Sequence, residues 1–257
     1  MEWYLYAAVI GAGFLAGFVN SLAGSGSLVT LPILIFIGLP ATIANGTNRV
    51  AILMQNIVGV GSFKQQGKLD GRAVFLLGFP AVLGAILGAQ IAVNLDEEAM
   101  RKAIGAVMVL MLVVIVMRPK RWLAGQTVKM DGNPGIGQLA LFFFIGVYGG
   151  FIQAGVGIFL LAGLVLGAGY DLVRANAVKL GIVLFFTIAA LAVFVFNEQV
   201  RWGIGLVMGI GNMGGAWVGT RFAVEKGTVW VRRVLITIVA FSAASLLGIL
   251  DTILAFL

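Results

Sequence analysis

Residues 3–48 contain no Asp, Glu, Lys or Arg, and further charge-free stretches cover 73–95, 103–117, 132–170, 180–197, 202–220 and 234–250. A helix rises about 1.5 Å per residue, so roughly 20 apolar residues cross a hydrocarbon core of about 30 Å, and most of these stretches suffice. With 61% of its 257 residues hydrophobic, the chain is too apolar for a soluble domain of this size. A β-barrel is the other spanning solution. It needs alternation between lumen and lipid faces, and these segments are continuously apolar. The fold class is therefore an all-α, multi-pass integral membrane protein. No basic region precedes the first apolar segment and no small-residue cleavage site follows it, so that segment reads as a retained helix and not as a signal peptide.

Several chemistries lack their residues. The chain has no Cys and no His, which removes thiolate catalysis, disulfides and the usual zinc sites. Its Asp and Glu residues all lie near segment ends and form no acid–base pair or metal cage, and no phosphate-binding glycine loop is present. The reading is no enzyme and no cofactor. The net charge of +7 comes from Lys and Arg in short loops between spans, a pattern of membrane anchoring and not of nucleic-acid binding.

The sequence also repeats itself. A shift of 133 superposes Gly13 on Gly146, Gly17 on Gly150, Phe18 on Phe151 and Gly24 on Gly157. A shift of 131 then superposes Gly38 on Gly169, Ala44-Asn45 on Ala175-Asn176, Gly84 on Gly215 and Arg101-Lys102 on Arg232-Arg233. Two repeats are expected, 1–117 and 135–257, joined by a basic cytoplasmic linker at 118–134. Loop charges set their relative orientation. Residues 64–72 carry three positives against one negative, 94–102 are net negative, 197–201 are balanced, and 221–233 carry four positives against one negative. Equivalent loops thus carry opposite bias, which predicts inverted repeats with both termini outside.

Each repeat opens with an apolar segment (about 4–23 and 137–154) and a short one (about 27–38 and 158–168), followed by three ordinary spans. Asn20, Ser21, Gly24, Ser25, Gly26 and Ser27 separate the first pair; Gln153, Gly155 and Gly157 separate the second. Interrupted backbone at membrane depth is tolerated where protein buries it or it lines a cavity, so the breaks mark a candidate site. Isolated Gly84 and Gly88 read instead as close-packing positions. Arg49 and Lys179 lie a few residues inside the third segments, after Asn45, Thr47 and Asn48 and after Asn176. A cation that deep is costly unless paired, and no carboxylate adjoins Arg49 in sequence, so a small anion is an economical partner. The alternative is that both side chains snorkel to the headgroups. Asp171 reads as the cap of a helix beginning near Leu172.

The stretch GFVNSLAGSGS at 17–27, with Leu31-Pro32, Gly38 and ANGT at 44–47 and a weaker copy at 146–176, resembles the sulfite exporter TauE/SafE family. The resemblance covers nearly the whole chain. It implies an inner-membrane permease for sulfite, organosulfonates or related small anions. Anion channels and non-transporting assembly subunits are the alternatives. Gly24-Ser-Gly26 departs from the family's common glycine triplet and puts a hydroxyl near the implied anion site. The candidate substrate-binding set is Asn20, Ser21, Gly24, Ser25, Gly26, Asn45, Thr47, Asn48, Arg49, Gln153, Gly157, Asn176 and Lys179.

Overall fold

The computed structural model describes residues 3–117 and 134–222, with Ala243 and Ser245 beyond them. Among these residues the chain is helical without strands. The expected linker, and most of the loop and last span of the second repeat, lie outside the described residues.

Helix α1 is Trp3–Ala23, and the short α2, Ser27–Phe36, follows after a three-residue break. Next come α3 (Ala41–Gln65), α4 (Gly71–Val93) and α5 (Glu97–Met117). The second half gives α6 (Ile136–Phe151) and α7 (Val156–Ala162), which runs into a π-helical turn at Gly163–Gly167. Helices α8 (Leu172–Phe196) and α9 (Trp202–Phe222) complete the described set. Four helices, α1, α4, α5 and α8, are long and apolar enough to cross a bilayer. At ten residues α2 rises only about 15 Å, half of a hydrocarbon core.

Polar end-groups fix where helices start. The Asp70 carboxylate accepts from Ala73 N at 3.1 Å, and Asp96 accepts from Ala99 N at 2.7 Å. Asp171 accepts from Val173 N and Arg174 N at 3.0 Å each, the capping role its position predicts. The first turn of α3 follows Pro40 and has no cap of its own. Glu97 of α5 supplies one, accepting from Ala41 N at 2.7 Å and Thr42 N at 3.2 Å. Gly24 and Gly155 (φ +73° each) turn the chain at the breaks, and Gly38 (φ +97°) and Gly169 (φ +73°) turn it after the short helices. Both pairs are 131 apart. The shift therefore changes before the break, and Gly155, not Gly157, holds the place of Gly24.

Helix faces divide between lipid and core. On α4, Phe75, Phe79, Leu83, Leu87 and Ile91 are exposed at four-residue steps, while Leu77, Ala81, Ala85, Ala89 and Ala92 are fully buried. Water would not tolerate the first stripe, and a hydrocarbon solvent does. Helix α3 inverts this logic. It is 25 residues long, as α8 is, but buries Asn45, Thr47, Asn48, Arg49, Gln55 and Asn56 inside the bundle.

Helix α1 lies along α9 as α6 lies along α4, and α3 lies along α9 as α8 lies along α4; α3 and α8 also face each other. Glycine allows the tightest of these approaches. A Cβ on Gly84 or Gly88 would fall 2.1 Å from the Phe143 carbonyl oxygen or 1.9 Å from that of Val147. A Cβ on Gly211 or Gly215 would likewise meet the Ile10 oxygen at 2.1 Å or the Phe14 oxygen at 2.0 Å. Close-packing is what Gly84 and Gly88 do. The turns 66–70 and 197–201 occupy corresponding sequence positions but opposite ends of α3. The first follows its last residue, whereas Arg201 N donates to Thr47 Oγ1 near its start (2.9 Å) and Gln199 Nε2 donates to Val93 O at the end of α4 (3.0 Å).

Candidate functional site

The two breaks touch. A Cβ on Gly157 would lie 2.4 Å from Gly24 O and 2.5 Å from its Cα, and one on Gly24 would lie 2.6–2.8 Å from Gly157 backbone atoms. Only two residues without side chains permit this contact, and it brings both interrupted helix pairs together inside the bundle. The Met100, Ile104, Met108 and Met111 face of α5 is fully buried. Met111 covers the second break, its sulfur 2.3 Å from where a Gly155 Cβ would stand.

Each predicted cation reaches into the other half. Arg49 is completely buried, with Nη1 donating to Gly149 O (3.1 Å) and Nη2 to Gly150 O (2.5 Å) and Phe151 O (3.5 Å). Those carbonyls end α6, where a helix has unsatisfied acceptors and the negative end of its dipole. The guanidinium also lies 4.5 Å from the Phe194 ring centroid. Lys179 is equally buried and donates to Asn20 O at 2.8 Å, in the last turn of α1, and to Asn176 Oδ1 at 2.8 Å. Neither side chain snorkels. Both are held by a helix C-terminus of the opposite half, so backbone carbonyls meet part of the demand that the sequence assigned to an anion alone.

The remaining candidates divide between those with a local partner and those left open. Asn45 Nδ2 donates to Phe151 O at 2.8 Å, beside Arg49. Asn48 Oδ1 accepts from Thr30 of α2 at 2.6 Å, and Gln153 Nε2 donates to Thr187 Oγ1 at 2.7 Å. Ser21 donates to Gly17 O at 2.9 Å, and Asn20 Oδ1 takes Gly26 N at 3.5 Å. Thr47 is engaged elsewhere, as the acceptor for Arg201 N. Ser25 Oγ, Asn45 Oδ1, Asn48 Nδ2, Arg49 Nε and Gln153 Oε1 are buried without a hydrogen-bond partner among the described residues. A buried polar atom left so costs about 1–3 kcal/mol, so five of them on the break segments and the first turns of α3 call for a ligand or water. Three of the five, Ser25 Oγ, Asn48 Nδ2 and Arg49 Nε, are donors. Turning the Gln153 amide over would keep its bond, with Thr187 donating, and offer an NH2 group as a fourth.

Thr30, Thr187 and Phe194 join the site without having been singled out in the sequence. Thr187 carried a usable signal, as a lone hydroxyl in an apolar helix and the shift-131 counterpart of Asn56. Thr30 and Phe194 carried none, since their roles depend on side chains far along the chain.

An apolar exterior, a polar interior and two interrupted helices in mutual contact are the build of a multi-pass membrane transporter. The chain belongs to the sulfite exporter TauE/SafE family, which it matches over residues 9–246. It is 28% identical over 248 residues to a "probable membrane transporter protein ORF9" of Sinorhizobium sp, covering 96% of this chain and 94% of that one. It is 25% identical to a "probable membrane transporter protein" of Haemophilus influenzae, with 90% of each chain covered. It is 26% identical to the "probable membrane transporter protein YfcA" of Escherichia coli K12, with 91% and 86% covered.

Proposed function

We infer that this chain is an inner-membrane permease for a small sulfur oxyanion, sulfite or a short organosulfonate, which binds where the two breaks meet. The observation that carries the reading is the set of buried, unpartnered donors, Ser25 Oγ in the first break, Asn48 Nδ2 on α3 beside Thr30 of α2, and Arg49 Nε on α3 at the end of α6. An acceptor-only ligand complements donors, and a negative charge complements Arg49, which among the described residues meets neutral carbonyls and an aromatic ring. Lys179 adds positive potential. Ser25, Asn48 and Gln153 are the direct contacts in this reading, while Arg49 and Lys179 bind by charge and hold the helix ends. Sulfur as the central atom rests on the family's description as sulfite exporters.

An inverted repeat accounts for the exchange symmetry of the helix packing and for the equivalent turns 66–70 and 197–201 at opposite ends of α3. In this arrangement the 66–70 turn faces the cytoplasm, and the 94–96 and 197–201 turns and both termini face outside. Alternating access then follows from rocking one half against the other about the Gly24–Gly157 contact. The test is a binding screen on purified protein over sulfite, sulfate, thiosulfate, taurine and isethionate, read by calorimetry. Saturable binding of at least one sulfur oxyanion, weakened at least tenfold by Asn48→Leu, supports the assignment. Binding of none of them refutes it.

A further inference from the structure

Polar residues on α3 continue well beyond the breaks. Asn48, Gln55 and Ser62 recur every seventh residue, two helical turns apart, and Gln66 follows one turn later at the end of the helix. They share one face that rises about 27 Å. Gln55 is 1% exposed and Asn56 beside it 0%, yet Gln55 Nε2 and Asn56 Oδ1 have no partner among the described residues. Further along, Ser62 Oγ and Thr220 Oγ1 of α9 are 2.8 Å apart, and Gln66 Nε2 donates to Ser62 Oγ at 3.1 Å. Between them Gly59 carries no side chain, and Leu180 of α8 packs into its place, with Cδ1 2.7 Å from where a Cβ would stand.

Helix α8, of the same length and 131 residues on, lacks this stripe. Phe186 stands where α3 has Gln55, Ala190 where it has Gly59 and Val193 where it has Ser62. Thr187, opposite Asn56, is engaged by Gln153. Phe186 packs over Gly149, and Phe194 covers Arg49. One half of the molecule therefore runs polar groups from the breaks to a surface, and the other seals the matching route with aromatic and branched side chains.

The geometry points to the Asn48–Gln55–Ser62–Gln66 face of α3, with Thr220 of α9, as a hydrated conduit joining the breaks to the face that bears the 66–70 turn. Water bonds the open atoms of Gln55 and Asn56, Leu180 closes the stripe at Gly59 and turns aside for the passing anion, and the anion exchanges hydration for the polar groups on either side. The α8 side opens only when the two halves rock. This inference rests on the proposed anion permeation, since a conduit needs a site to serve.

Cysteine-free wild type makes the test direct. Single variants Gln55→Cys, Ser62→Cys and Thr220→Cys, and the α8 counterparts Phe186→Cys and Val193→Cys, are treated in open membrane fragments with the anionic reagent 2-sulfonatoethyl methanethiosulfonate. The α3–α9 positions should react at least tenfold faster than those on α8, with Ser62→Cys faster than Gln55→Cys. Equal rates on the two helices, or faster reaction on α8, overturn the conduit. Ser62→Cys and Thr220→Cys are nearly isosteric, so the comparison survives if Gln55→Cys fails to fold. Labelling reads water access without any substrate. A reactive stripe in a protein that binds no sulfur oxyanion sinks the functional reading alone, and an unreactive stripe in a protein that binds one sinks the conduit alone.

Discussion

Replacing Gly157 with alanine tests whether the contact between the breaks matters. The new Cβ would stand 2.4, 2.5 and 2.8 Å from O, Cα and C of Gly24. Non-bonded carbons settle near 3.5–4.0 Å, so the two backbones must part by roughly 1 Å. No rotamer change relieves the clash, because every atom involved is main chain. Overpacking of this kind costs about 1–3 kcal/mol, and for a chain of this size each kcal/mol lowers the melting temperature by about 2–4 °C. Gly163→Ala is the matched control. It lies just beyond the same helix, with φ −61°, and its nearest neighbours are side-chain atoms at an ordinary 3.5 Å. Fluorescence-detected thermal unfolding in detergent should show Gly157→Ala roughly 2–12 °C below wild type and Gly163→Ala within about 2 °C of it. Anion affinity should fall at least tenfold in Gly157→Ala only, because a shift of about 1 Å carries the Ser25 hydroxyl out of hydrogen-bond range. Equal melting temperatures and equal affinities for the two variants would refute the reasoning.

Arg49→Gln should destabilise the fold by about 1.5–3 kcal/mol, since it strips the charge-assisted bonds from the end of α6, whereas exposed Lys102→Gln should leave the melting temperature unchanged. Arg49→Lys should fall between, because a single ammonium cannot bridge carbonyls as the guanidinium fork does. Sidedness is checked by an impermeant maleimide on intact cells: Asn94→Cys and Asn197→Cys should label together and Gln65→Cys should not, and labelling of Gln65→Cys alongside them contradicts the inversion. Asp171 caps α8 from a helix boundary, so Asp171→Asn should transport normally, and a pH gradient at zero membrane potential should not drive accumulation of a fully ionised sulfonate. Accumulation that Asp171→Asn abolishes would overturn the absence of a side-chain proton relay.

The breaks were legible because glycine and polar residues inside an apolar run have few other uses. The expected short segments at 27–38 and 158–168 appear as Ser27–Phe36 and Val156–Gly167. Burial of Arg49 was legible too, from its place after an uncharged stretch of more than forty residues. Its partners were not. The carbonyls it grips lie a hundred residues away, and a helix C-terminus leaves no mark in the sequence of the helix that meets it. The Gly24–Gly157 match misled for a related reason. Gly155 holds the left-handed turn that corresponds to Gly24, and Gly157 is the residue against which Gly24 packs. Sequence comparison sees glycine but not which of its two uses, turning or close approach, it serves.

Counterflow across a sealed bilayer addresses the central claim, that a small sulfur oxyanion passes between the two breaks. Proteoliposomes are loaded with unlabelled anion, the strongest binder in the screen, and diluted into a trace of the same anion carrying sulfur-35. Wild type should accumulate label transiently above its equilibrium level. Asn48→Leu should lose this, because removing a donor to a bound charge costs about 1.5–3 kcal/mol, or roughly ten- to a hundredfold in affinity. No transient with wild type, or a full transient with Asn48→Leu, would contradict the account.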